Sequence, residues 1–190
     1  MTFLTDFGDS AVLLPLSAVM LVWLLAAQRY RTAMWWAGAL ALLGILTGGL
    51  KVMFAACPPT RALNSPSGHT GFSMLVYGAL ALLIASNRRT LGRALILLTA
   101  ITFAAAIAIS RVILGMHSIP ETILGLAIGS TCLALFAVGY DRREQRSGSL
   151  VALAVIVALT VGLLHGHRLN FEHDMRGIGD WIGLRQLLCR

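Results

Sequence analysis

Asn64-Ser65-Pro66-Ser67-Gly68-His69-Thr70, then Ser110-Arg111, then His117-Ser118-Ile119-Pro120-Glu121 interrupt a chain that is otherwise mostly Leu, Ala, Ile, Val and Gly. They put small, basic and titratable residues where apolar runs stop. Six such runs surround them, at 11–27, 33–56, 70–86, 91–109, 122–140 and 150–164. A hydrocarbon core about 30 Å thick needs about 20 helical residues to cross it, and flanking aromatics and tilted ends complete the shorter runs. In lipid every backbone amide must be satisfied internally, which a helix does. The expectation is an all-α, six-transmembrane-helix bundle with an amphipathic C-terminal tail.

Composition agrees. Of 190 residues, 57% are hydrophobic and 12% charged, about half the charge of a soluble domain. The formal charge of +7 raises the question of nucleic acid. The basic residues, however, sit in short clusters between apolar runs and form no stripe interleaved with aromatics, so that partner is excluded. The partners expected are the bilayer and a lipid within it. The residues before the first run include Asp6 and Asp9 and no Lys or Arg. A secretory signal opens on a basic region, so this run is expected to remain as a span. The three cysteines, Cys57, Cys132 and Cys189, make no disulfide framework. Cys132 reads as a small buried hydrophobe, and whether Cys57 and Cys189 pair is left open.

One set of loops carries Arg29 and Arg31, then Arg88, Arg89 and Arg93, then Arg142, Arg143 and Arg146. Short loops rich in Arg and Lys stay in the cytoplasm. The alternate side carries the acidic N-terminus and the 57–69 and 110–121 loops. Both termini and the interrupting segments are therefore expected outside, at the periplasmic face of a bacterial inner membrane. Tyr30, Trp35 and Trp36 fall where a cytoplasmic aromatic belt would lie. One domain covers 1–190, with a core of 11–164 and a tail of 165–190. The tail turns amphipathic through Ile178, Trp181, Ile182, Leu184, Leu187 and Leu188. It reads as an interfacial helix or as a segment packed on the bundle. His165, His167 and His173 in the tail match no known metal-site pattern, so no metal or other cofactor is expected.

The chemistry-bearing residues converge on one side. Lys51, the single lysine, closes the second run; a snorkelling role is the bland reading. Ser65 and Pro66 read as helix-start signals. Gly68 at a helix mouth lets an anion approach free N–H groups that the helix dipole favours. His69 stands in the first turn. Ser118 to Glu121 has capping-box spacing, yet His117 and Glu121 are four apart, neighbours on a helical face. Glu121 is either cap or orienter of His117, and a histidine held by a carboxylate is an activated nucleophile. Lys51, Arg61, Arg111, two histidines, one carboxylate and a Ser-Gly helix mouth suit phosphoryl transfer, which needs cations and N–H groups around the equatorial oxygens.

At these residues the chain resembles the type-2 phosphatidic acid phosphatase family, within the superfamily that includes vanadium-dependent haloperoxidases. Pro66-Ser67-Gly68-His69 matches its second block. Ser110, Arg111 and His117 match its third, with Glu121 where the family has Asp. The first block departs: Lys51 is matched, but Pro58-Pro59 stands where Arg-Pro is expected, and Arg61 is the nearest substitute. The resemblance implies a metal-independent hydrolase of lipid phosphates or pyrophosphates, whether polyprenyl, phosphatidic acid-type or lipid A-type. It implies His117 as the nucleophile forming a phosphohistidine, Glu121 as its orienter and His69 as general acid and base. Lys51, Arg61, Ser67, Gly68, Ser110 and Arg111 would bind phosphate. The rival from another class is a non-catalytic phospholipid-binding or lipid-transporting protein on the same bundle.

Overall fold

In a computed structural model, which describes residues 2–57, 59–60, 62–140 and 150–167, the apolar runs fold as helices. In chain order these are α1 (Thr2–Asp6), α2 (Ser10–Ala26), α3 (Tyr30–Ala56), α4 (Gly68–Ile84), α5 (Thr90–Ile113), α6 (Ile119–Gly139) and α7 (Leu150–Leu164). Among the described residues there is no strand, only an isolated bridge between Thr60 and Leu63. The all-α expectation holds, and each of the six runs corresponds to one of α2–α7. α1 was not anticipated. Four segments, Phe3–Ala26, α3, α5 and α6, are long and apolar enough to cross a membrane, while α4 and α7 are shorter apolar helices. At about 1.5 Å per residue, the 17 residues of α4 reach about 25 Å. The surface is apolar: Met34, Ile45, Leu91, Val138 and Val151 are 70–77% exposed. A continuous mantle of this kind suits lipid and not water.

Local rules set the helix ends. Asp9 caps α2 by accepting from the Ala11 amide at 2.9 Å. Ser118 caps α6 in a complete capping box with Glu121. α5 runs past the end expected for it, so Ser110 and Arg111 lie in its last turns. It closes with the Met116 amide on the Arg111 carbonyl at 3.0 Å and the Gly115 amide on the Val112 carbonyl at 3.0 Å. That pair is a Schellman motif. It needs a left-handed residue, supplied by Gly115 at φ +66°. The five residues between Arg111 and His117 are therefore one helix-ending turn, which folds His117 back toward Arg111. α4 starts at Gly68, not at Pro66, with Ser67 at its N-cap.

α4 is the enclosed centre of the bundle and packs on α5 and α6. It runs parallel to α6, because both helices begin at the same end: the Ser67 amide donates to the Glu121 carbonyl at 3.0 Å. Glycines allow the approach. A Cβ at Gly125 would overlap the Ser67 carbonyl, and one at Gly129 the Gly71 carbonyl. Gly125-Leu-Ala-Ile-Gly129 is the small-xxx-small spacing that brings membrane helices into backbone contact. At the opposite end Trp36 corrects an expectation. It is fully buried, donates from Nε1 to the Ser17 carbonyl at 3.1 Å, and meets the Phe136 ring edge-on at 5.6 Å. It belongs to the core, whereas Tyr30 and Trp35 are exposed as a belt would require. Arg29 is also buried, with its guanidinium 4.4 Å from the Trp23 ring.

Arg61, the 141–149 loop and the 168–190 tail lie outside the described residues, and with them the expected interfacial helix, His173 and Cys189. Cys57 ends α3 in a disulfide, and Cys132 is buried as a free thiol.

The α4–α6 contact generates a stability test. Gly125→Ala and Gly129→Ala force a methyl onto a backbone carbonyl and are expected to destabilise the protein by about 1–3 kcal/mol, the range for overpacking. Gly162→Ala, which meets nothing within 4 Å, is expected to leave stability unchanged. Thermal unfolding in detergent micelles compares the three.

Candidate active site

Five elements bring their ends to one end of the bundle: the start of α2, the end of α3, the starts of α4 and α6, and the end of α5. The Glu121 side chain is the centre of this arrangement. Its Oε2 accepts from His117 Nδ1 at 3.0 Å and from the Ser118 amide at 3.0 Å. Its Oε1 accepts from the Asn64 and Ser65 amides, both at 2.9 Å. The sequence left cap and orienter as alternatives. The carboxylate does both at once and also pins the 64–65 backbone. Asn64 and Ser65 thus serve through their amides, and Ser65 is not the helix cap. The hydroxyl of Ser118 donates to the Ala62 carbonyl, a short contact that ties the same loop to the start of α6.

His117 is 6% exposed and Glu121 7%, so this pair is sheltered from water. An ionised carboxylate only accepts, so Nδ1 carries the proton, and in the neutral ring Nε2 carries the lone pair. The ring is fixed by a bond at one nitrogen, leaving its chemistry to the other.

Across from this pair, Ser67 and Gly68 open α4. Ser67 is fully buried, and its Oγ lies 2.8 Å from Thr70 Oγ1. A Cβ placed on Gly68 would lie 3.8 Å from Lys51 Nζ. The single lysine therefore reaches over the helix mouth from α3. First-turn amides of a helix have no acceptor within it, and with the ammonium beside them they form a cradle for an anion. Arg111 is 7% exposed, and its Nη1 donates to Thr5 Oγ1 at 3.3 Å. Ser110 is spent differently: its hydroxyl donates to the Ile107 carbonyl at 2.6 Å within α5, so its one hydrogen is not directed at a ligand. His69 Nε2 lies 3.3 Å from Asp9 Oδ2. Of the tail histidines, His165 packs on Phe3 and Phe7, with ring centroids 4.5 Å away in each case. That is a structural role.

Thr5 and Asp9 were missed. Both are buried, and both come from the short N-terminal segment that precedes the first run. A signal existed. The chain has eight acidic residues, and Asp6 and Asp9 are two of the three that fall before residue 141. Carboxylates so scarce are seldom left idle in an apolar protein.

Glu121 makes a measurable prediction. Glu121→Ala leaves the buried Ser65 amide, the partly buried Asn64 and Ser118 amides and the His117 ring without their acceptor, at about 1–3 kcal/mol for a buried unsatisfied group and less for the others. Amide hydrogen exchange in micelles is expected to accelerate at Asn64, Ser65 and Ser118. Glu121→Asp, one methylene shorter, is expected to keep the capping bond and lose protection at Asn64 and Ser65.

Comparison with known proteins agrees with this geometry. Residues 59–146 match the PAP2 superfamily, a segment that contains the α4 mouth, Arg111, His117 and Glu121. The chain is also similar to an uncharacterized 22.5 kDa protein in the cps region of Klebsiella pneumoniae. The two are 29% identical over 167 residues, covering 84% of this chain and 79% of the relative. No solved structure matches the chain. The match supports a phosphoester hydrolase. Both motif blocks, assembled around one carboxylate, lie inside the segment that matches the PAP2 superfamily.

Proposed function

We propose that the protein is an integral membrane lipid phosphatase that hydrolyses a lipid phosphate or pyrophosphate through a phosphohistidine on His117. The observation that carries this reading is the 3.0 Å bond between the Glu121 carboxylate and His117 Nδ1. With Nδ1 held, the Nε2 lone pair is the one left to act as a nucleophile. Nε2 attacks phosphorus, an N–P bond forms, and the bond from phosphorus to the leaving oxygen breaks. His69 gives its proton to that oxygen. Glu121 stabilises the charge that grows on the His117 ring. Water then attacks the phosphohistidine, His69 takes the water's proton, and inorganic phosphate leaves with the ring restored.

Lys51, Ser67, the first-turn amides from Gly68 onward and Arg111 hold the equatorial oxygens. Electrostatic stabilisation of this kind is the largest contribution in phosphoryl transfer, and these donors supply it without a metal. The apolar mantle argues for a lipid substrate, whose chains lie among the helices while its head enters the cation cluster. The site end faces out of the cytoplasm in this proposal, because Arg88 and Arg89 are exposed at the other end and short basic loops stay inside.

The test uses purified protein in micelles with a panel of polyprenyl pyrophosphate, phosphatidic acid and lipid A, and EDTA throughout. Phosphate release with at least one lipid is expected. His117→Ala is expected to abolish it. His69→Ala is expected to lower it by about 10²–10⁴-fold, the usual contribution of general acid–base help. Lipid binding without release by the unaltered protein would favour the non-catalytic alternative, and full activity of His117→Ala would remove the mechanism.

A further inference from the structure

Asp9 stands at the N-cap of α2, and its two carboxylate oxygens are divided. Oδ1 accepts from the Ala11 amide at 2.9 Å. Oδ2 lies 3.3 Å from His69 Nε2, a residue 60 positions later on a different helix. Both side chains are sheltered, at 8% exposure for Asp9 and 16% for His69. A cap requires one oxygen, and Ser or Asn would serve it as well. The second oxygen does something a cap does not need.

The turn that carries Asp9 is locked in place. The Phe7 carbonyl accepts from the Tyr77 hydroxyl of α4 at 2.7 Å. Gly8 is pressed against α4 and α5, since a Cβ there would lie 2.7 Å from Ile107 Cγ2 and 3.1 Å from Ser73 Oγ. The carboxylate is therefore held by the bundle and does not reach His69 from a loose terminus.

We propose that Asp9 is a positioning residue that fixes the ring and the proton of His69. The proposal rests on the acid–base role given to His69 above. The carboxylate accepts, so Nε2 of His69 carries a hydrogen and donates it. Nδ1 is then the atom that passes a proton to the leaving oxygen and takes one from water. The carboxylate also stabilises the imidazolium from which the first proton is given. The site thus holds its two imidazoles by opposite nitrogens: His117 by Nδ1 through Glu121, and His69 by Nε2 through Asp9.

Asp9→Asn separates this role from capping. Asparagine caps as well as aspartate, and with its carbonyl on the Ala11 amide it turns an NH₂ group toward His69. Its thermal midpoint is expected to match the unaltered protein. Phosphate release from an alkyl phosphate is expected to fall by about 10–100-fold, a part of the general-acid contribution. Release from p-nitrophenyl phosphate, whose leaving group needs little protonation, is expected to fall less than about threefold on the same argument. In a His69→Ala background the Asp9→Asn change is expected to cost nothing further, since the two act as one unit. Nitrogen-15 spectra of histidine-labelled protein are expected to show His69 protonated at Nε2, and at Nδ1 in Asp9→Asn. Full alkyl phosphate turnover in Asp9→Asn, losses that multiply in the double variant, or an unchanged tautomer would each overturn the proposal. If the unaltered protein releases phosphate from no substrate, the proposed function falls, and the tautomer alone decides the Asp9–His69 pairing.

Discussion

A single carboxylate, accepting four hydrogen bonds from two stretches of chain, holds this end of the protein together. Glu121 closes the first turn of α6, fixes the His117 ring and pins the backbone at Asn64 and Ser65. Bonds to a charged group contribute about 1.5–3 kcal/mol each, and here each bond also sets a position. The loop that leads into α4 cannot move without disturbing the histidine, and the histidine cannot rotate without disturbing the loop. The longer glutamate arm suits this duty: from the third residue of a helix it reaches the helix cap and a neighbouring strand of backbone together.

That grip depends on how closely α4 and α6 run. Both begin at the same end, and glycines at 71, 125 and 129 bring carbonyl against backbone with no side chain between. Two helix N-termini lie side by side as a result, and their positive dipole ends are at the end of the bundle where Lys51 lies beside Gly68. A bundle in which α4 and α6 were separated by ordinary side chains would leave the Ser67 amide short of the Glu121 carbonyl. The start of α4 and the His117–Glu121 pair would then belong to different surfaces.

The N-terminal segment completes the enclosure. α1 and the turn after it place Thr5 against Arg111 and Asp9 against His69. This short piece touches both the cation at the end of α5 and the imidazole at the start of α4. A stretch that precedes the first apolar run is, in the folded protein, packed against Arg111 and His69.

The amino-acid sequence by itself determined the helices and the chemistry available to them. Apolar runs of membrane length can satisfy their amides in one way only, and Pro66-Ser67-Gly68-His69 and Ser110-Arg111 through Glu121 announce an anion site by residue type and spacing, because those signals are local. The tertiary structure alone decided which partner each group meets. Trp36 reads as a belt residue until the core closes around it, and Ser110 reads as a phosphate ligand until its hydroxyl turns to the Ile107 carbonyl. Glu121 remains ambiguous between two roles until the Asn64 and Ser65 amides arrive from another loop. Asp9 acquires His69 only because α2 and α4 start at the same level. The energy of such a contact depends on separation in space, and between residues 9 and 69 that separation is a property of the packing, which no periodicity along the chain encodes.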